Sequence, residues 1–311
     1  MPAVEASKRI VLKNILFATD FSDYSNAALP YALSVARRYG ATLHAAHVMP
    51  TMAQMVLFSP ECWPAMAEEA DEERVKECVE ELEKQFKELP HDVLTPRGKV
   101  AEAIAGIIKK QKIDVLVLGT HGRTGLGKLF AGSVAEEIFR QAPCPVLSIG
   151  PHVATKRDSQ IRFQHVLFAT DFSPGSLAAL PYAIYVAEED RAELDLLHVV
   201  EQPAAGIVDI EAVNASLMHR LKALVADEPE PSCHAGCLIE FGRQFALPSE
   251  RILDVAEDRS ADLIVLGARS AQGKLGLVTH LASTAAQILT HAACPVLTVR
   301  AEFAQRTERV L

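Results

Sequence analysis

Short apolar runs alternate with amphipathic stretches along this chain, and the alternation sets the expected architecture. In the first 150 residues, positions 14–19, 41–48, 91–96, 113–118 and 145–149 read as strands. Helical patterns fall between them at 24–39, 71–89, 101–111 and 133–141. The 71–89 stretch places Val75, Cys78, Val79, Leu82, Phe86 and Leu89 on one face, as an amphipathic helix requires. The 113–118 run, dense in Val and Leu, has the composition of a strand buried on both faces. Alternating strands and helices predict an open parallel α/β sheet with helices on both faces. Ligands of such sheets bind outside the carboxyl ends of the strands, where strand order reverses.

The pattern occurs twice. Residues 16–36, LFATDFSDYSNAALPYALSVA, return at 167–187 as LFATDFSPGSLAALPYAIYVA, with 16 identities in 21 positions at an offset of 151. Residues 114–119 (DVLVLG) return at 262–267 (DLIVLG), and Cys144-Pro-Val-Leu147 returns as Cys294-Pro-Val-Leu297. A period of about 150 residues is domain-sized rather than solenoid-sized. The expected organisation is therefore domain 1 over 1–150, a polar, basic connection over 151–163, domain 2 over 164–300 and a solvated tail over 301–311.

Composition narrows the function class. The 311 residues are 49% hydrophobic and 23% charged, with a formal net charge of −9, which fits a globular protein in water. No dense Lys/Arg run points to nucleic acid or an anionic membrane as a partner. No apolar stretch is long enough for a membrane span, and the first residues, MPAVEASKR, lack the apolar core of a secretory signal. Six cysteines are too sparse for a disulfide scaffold, so a reducing, cytoplasmic setting is expected. Cys144 and Cys294 read as small buried hydrophobes. Cys233 and Cys237 lack a second pair and do not make a zinc set.

The candidate chemistry lies after the 113–118 strand. Residues 119–132 contain five glycines, Gly119, Gly122, Gly125, Gly127 and Gly132, directly before a helical pattern that opens with Ser133 and Val134. Such a backbone can approach a phosphate closely, with helix N–H groups and the Ser133 hydroxyl as donors and Arg123 and Lys128 as cations. A plain loop using glycines for its turns is the alternative. Leu129 stands where a P-loop needs Ser or Thr, and the glycine spacing does not fit a dinucleotide fingerprint. His121 sits inside this loop. Asp20, after the first strand, suits an adenine amine or ribose hydroxyl, or else an N-cap. The segment 49–66, rich in Met and Pro, reads as core filling under a loop, or else as a lid or a partner surface. His47 and His198 recur at a strand end and suit a structural role. No Ser-His-Asp order or carboxylate pair marks a hydrolase, and no metal or catalytic residue is assigned.

The pattern Gly119-x2-Gly122-x9-Gly132-Ser133 resembles the nucleotide-binding signature of universal stress proteins. Ala18-Thr19-Asp20-Phe21-Ser22, His47-Val48 and Pro143-Cys-Pro-Val-Leu147 extend the resemblance, which covers both halves. It implies a Rossmann-like, adenine nucleotide alpha hydrolase-like fold. It also implies that Ala18, Thr19, Asp20 and Val48 hold adenine and ribose. Leu118, Gly119, Gly122, Gly132, Ser133 and Val134 would hold ribose and phosphates, with His121 and Arg123 beside them. In the second half Ala169, Thr170, Asp171, Val199, Leu266, Gly267, Ser283 and Thr284 correspond, but Ser270 and Ala282 stand in place of Gly122 and Gly132. Added side chains there predict weakened, altered or absent binding.

The resemblance thus points to a tandem ATP-binding stress sensor, with any Mg or Mn carried by the phosphates. It further implies pairing of residues 145–149 with 295–299 as an internal pseudo-dimer, with a homodimer of chains beyond that. A slow ATP hydrolase or phosphotransferase, and a nucleotide-independent interaction module, are the alternatives.

Overall fold

The first half of the chain builds β1 (Asn14–Ala18), α1 (Asp23–Asn26), α2 (Leu29–Tyr39), β2 (Thr42–Ala46), α3 (Pro64–Phe86), β3 (His91–Leu94), α4 (Val100–Lys110), β4 (Val115–Gly119) and β5 (Val146–Ile149). The second half repeats the order with β6 (His165–Ala169), α5 (Pro174–Leu177), α6 (Leu180–Asp190), β7 (Glu193–Val200), α7 (Ile210–Ala223), β8 (Ala235–Phe241), α8 (Pro248–Asp258), β9 (Leu263–Ala268), α9 (Leu281–His291) and β10 (Val296–Arg300). These assignments come from a computed structural model that describes residues 10–51, 64–120, 135, 137–139, 142–154, 160–201, 209–226, 235–242, 247–268 and 281–301. No helix among the described residues is long and apolar enough to cross a membrane.

The helical pattern at 24–39 divides in two. Pro30 lies in the first turn of α2 and has no N–H to continue the ladder from α1, so the chain restarts at Leu29. Pro181 divides the corresponding stretch of the second half in the same way. Gly40, at φ +59°, ends α2 in the left-handed conformation that glycine adopts without strain.

All ten strands form one sheet, ordered β3-β2-β1-β4-β5-β10-β9-β6-β7-β8. Strand pairs within each half are parallel, while β5 and β10 pair antiparallel through Val146↔Thr298, Leu147↔Leu297 and Ser148↔Val296. The strand order reverses between β1 and β4, and again between β6 and β9. Asp114 fixes the amino end of the first reversal, where its Oδ2 accepts from Lys13 N at 2.7 Å and Asn14 N at 2.9 Å. Asp262 holds Gln164 N and His165 N in the same manner.

One apolar cluster runs through both halves on the α2/α6 face, including Tyr31, Phe86, Phe163, Phe168, Tyr182 and Leu297. On the other face, separate clusters lie under α4 and under α8 and α9, and Phe139 packs against both. Polar contacts join the halves beside the shared cluster. Arg38 Nη1 lies 2.6 Å from Asp190 Oδ1, and the Asp190 side chain is only 1% exposed. Asp190 Oδ2 accepts from Phe163 N at 2.8 Å, and Ser34 Oγ and Arg38 both donate to the Ile161 carbonyl. Tyr39 stacks on Tyr185 at 5.8 Å between centroids. Ile161 and Phe163 are thus buried anchors within a connection whose composition is polar.

Arg38→Ala strands a buried carboxylate, so it is expected to lower unfolding free energy by roughly 2–4 kcal/mol. Urea denaturation reads this as a lower midpoint at unchanged slope. An unchanged midpoint would mean that the pair contributes nothing to holding the halves together.

Candidate functional site

Of the predicted residues, the two reversals of strand order set Ala18 beside Leu118 and Ala169 beside Leu266, as register partners at the carboxyl ends of their strands. Thr19 N donates to Ala46 O at 3.0 Å, so the chain leaving β1 stays beside β2. Ala18 and Val48 both pack against the cluster under α4. Val199 packs on the corresponding cluster in the second half, though there it lies within the eight-residue β7, longer than the five-residue β2.

A tight turn follows. Phe21 takes φ +59°, an uncommon value for a bulky side chain that costs about 1–3 kcal/mol unless its surroundings enforce it. The surroundings do. Thr19 Oγ1 accepts from Phe21 N at 2.9 Å and is 3.0 Å from Ser25 Oγ. Asp20 Oδ1 accepts from Ser22 N at 3.0 Å and from the Ser22 hydroxyl at 2.6 Å. Ser22 in turn caps α1 by accepting from Ser25 N at 3.2 Å. His47 Nδ1 donates to Thr19 O at 2.9 Å, and its ring lies 4.5 Å from that of Phe21.

Phe172 repeats the +59° φ in the second half, with Thr170 Oγ1 accepting from its N–H at 2.9 Å and His198 Nδ1 donating to Thr170 O at 2.8 Å. Here Pro174-Gly175 replaces Asp23-Tyr24. Asp171 Oδ1 accepts from Ser173 N at 2.9 Å, but the Ser173 hydroxyl donates to Ser176 Oγ at 3.4 Å. Asp20 is half-buried and Asp171 is exposed. The Arg220 guanidinium lies 4.0 Å above the Phe172 ring, a cation–π contact on the α7 side of the turn.

Gly119 and Gly267 close the opposite wall. A Cβ on Gly119 would lie 2.5 Å from Tyr24 O, and one on Gly267 would lie 2.1 Å from Gly175 O and 2.2 Å from Ser176 Cα. Each glycine therefore lets a central strand pass against the backbone of the preceding turn. That packing requirement is separate from any contact with phosphate.

His121, Gly122, Arg123, Gly132, Ser133 and Val134 lie outside the described residues, as do Ser270 and most of 49–66. Ser283 and Thr284 fall in the first turn of α9. The sequence reading did not single out Ser22, Ser25 or the hydroxyl of Thr19 as a network. The Asp20-x-Ser22 spacing, typical of a side-chain-closed turn, was the available signal. Cys144 and Cys294 are buried, and burial, reinforced by Asp262, pushes the Cys294 thiol up to about 12. Such a thiol is a packing group rather than a nucleophile. Among the described residues no group of three or more His, Cys, Asp or Glu is placed to hold a metal ion.

A doubled parallel α/β sheet with a rigid carboxylate-bearing turn at each switch point defines the class of protein. The sequence profile of the Universal stress protein family matches residues 12–149 and again 162–300, so the chain belongs to that family as a tandem member. The chain is 27% identical over 310 residues to universal stress protein Slr1230 of Synechocystis sp., covering 93% of this chain and all of that one. It is 32% identical over 139 residues to universal stress protein MJ0531 of Methanocaldococcus jannaschii, covering 44% of this chain and 81% of that one. The crystal structure of a universal stress protein from Archaeoglobus fulgidus shares the fold, with a TM-score of 0.69, 22% identity and coverage of 93% of this chain and 98% of that one.

Gly267→Ala is expected to destabilise the chain by roughly 2–3 kcal/mol through overpacking against backbone, and Gly119→Ala by less, since its nearest approach is wider. Thermal denaturation of both variants checks the order. Two variants melting like the wild type would show that the turns yield freely.

Proposed function

We propose that the first half binds ATP at the carboxyl ends of β1, β2 and β4, and that the chain reports nucleotide or stress state through its conformation and contacts. The observation that best supports this is the Thr19–Ser25 turn, in which two donors from Ser22 orient the Asp20 carboxylate at the switch point. In this reading Asp20 accepts from an adenine amine or a ribose hydroxyl. Ala18, Thr19, Val48 and Leu118 form the wall against the base and sugar. Phosphates go to the segment with Gly119, His121, Gly122, Arg123, Gly132, Ser133 and Val134. A Mg or Mn ion arrives with the phosphates rather than on a protein ligand set.

The second half, with Ala169, Thr170, Asp171, Val199, Leu266, Gly267, Ser283 and Thr284, is the weaker site in this proposal. Ser270 and Ala282 place side chains where the first half has glycine. The unit boundaries at 150 and 164, an internal pseudo-dimer joined by the antiparallel β5–β10 pairing, a homodimer of chains and a cytoplasmic location belong to the same proposal. In this proposal the chain acts as a sensor rather than as a hydrolase.

Calorimetric titration with ATP tests it. Asp20→Ala and Gly122→Val are each expected to weaken the tighter binding phase at least about tenfold, while Asp171→Ala leaves that phase unchanged. An equal loss on Asp171→Ala, or steady ATP turnover abolished by Gly122→Val, would contradict the proposal.

A further inference from the structure

The two turns share a strained Phe and a His–carbonyl bond, yet beyond the Pro174-Gly175 replacement and the greater exposure of Asp171 they differ in where one hydroxyl donates. Ser22 Oγ donates to Asp20 Oδ1 at 2.6 Å, whereas Ser173 Oγ donates to Ser176 Oγ at 3.4 Å. A charge-assisted O–H···O⁻ contact of that length is among the stronger hydrogen bonds available to a carboxylate. Together with the 3.0 Å bond from Ser22 N, it fixes one carboxylate oxygen by two donors from a single residue. The carboxylate is then oriented before any ligand arrives, which lowers the cost of ordering it on binding.

Resting on the proposed nucleotide site, we infer that Ser22 is its positioning residue. Its hydroxyl holds Asp20 in the orientation that receives the nucleoside end of the ligand. Ser173 caps α5 in the equivalent place, accepting from Ser176 N at 3.2 Å, while its proton goes elsewhere. The pair separates capping from orienting. Both serines close the turn and donate their N–H to the carboxylate two residues before them, and in the first turn the Ser22 hydroxyl adds a second donor.

Because Asp20 meets the nucleoside rather than the phosphates, removing its support lowers affinity for adenosine and for ATP by the same factor. A defect in the phosphate loop weakens ATP selectively. The experiment titrates full-length protein with each compound. Ser22→Ala is expected to lose roughly tenfold for both ligands, and Ser22→Thr, which keeps the hydroxyl, to bind within about twofold of wild type. Ser22→Gly keeps an acceptable N-cap, at a cost of only a few tenths of a kcal/mol, and is expected to bind like Ser22→Ala. Ser173→Ala is expected to leave the tighter site unchanged.

Wild-type affinity in Ser22→Ala or Ser22→Gly overturns the inference, provided Asp20→Ala still weakens binding. A loss confined to ATP overturns it as well. If Ser22→Thr falls as far as Ser22→Ala with an equal drop in melting temperature, the residue only caps α1. Failure of the wild-type chain to bind either compound removes the nucleotide site itself, and this inference with it.

Discussion

Three antiparallel register pairs between β5 and β10 convert two five-stranded sheets into one sheet of ten strands. Each parallel unit would otherwise end on an exposed apolar edge, Val146–Ile149 in one half and Val296–Arg300 in the other, with unpaired backbone groups. Joining the edges satisfies those groups and settles the rest of the assembly. It brings α2 and α6 to the same face, so that Tyr31 and Tyr182 share one cluster with Leu297 and Val299. Burial pushes both phenols up to about 12, as expected for hydroxyls inside an apolar seam. The Arg38–Asp190 pair and the buried Ile161 and Phe163 follow from the same approach of helices.

A rigid sheet makes a strained turn sustainable. The left-handed Phe21 and Phe172 sit where the chain leaves a central strand, and each is held by a threonine hydroxyl, a histidine and a serine cap. Strain of this kind persists only where neighbouring groups over-determine the conformation. The first half goes further than the second, because the Ser22 hydroxyl is spent on Asp20. Divergence between the halves therefore begins at the turn itself and not solely in the glycine-rich segment. Gly119 and Gly267, which resemble ligand-contacting residues by sequence, also meet a packing demand from the turn behind them.

Most of the sheet was legible because buried parallel strands write themselves as local runs. Residues 14–19 and 113–118 were read close to β1 and β4, and the 151-residue repeat carried the second half. The division of 24–39 was also legible in principle, since Pro30 and Pro181 carry the signal locally. Contacts that join residues far apart left no such trace. Arg38 and Asp190 lie 152 positions apart, and nothing in either neighbourhood announces the other. The difference between Ser22 and Ser173 was hidden for a related reason. Identical residues at identical spacing send their hydroxyl protons to different acceptors, and only the three-dimensional turn decides which.

The central claim is that the first half carries the working nucleotide site. Its most direct test is to purify the chain without added nucleotide, denature it and quantify the adenine nucleotide released. The account predicts about one nucleotide per chain, lost in Asp20→Ala and retained in Asp171→Ala. Two per chain, or one that survives Asp20→Ala and disappears in Asp171→Ala, would contradict it.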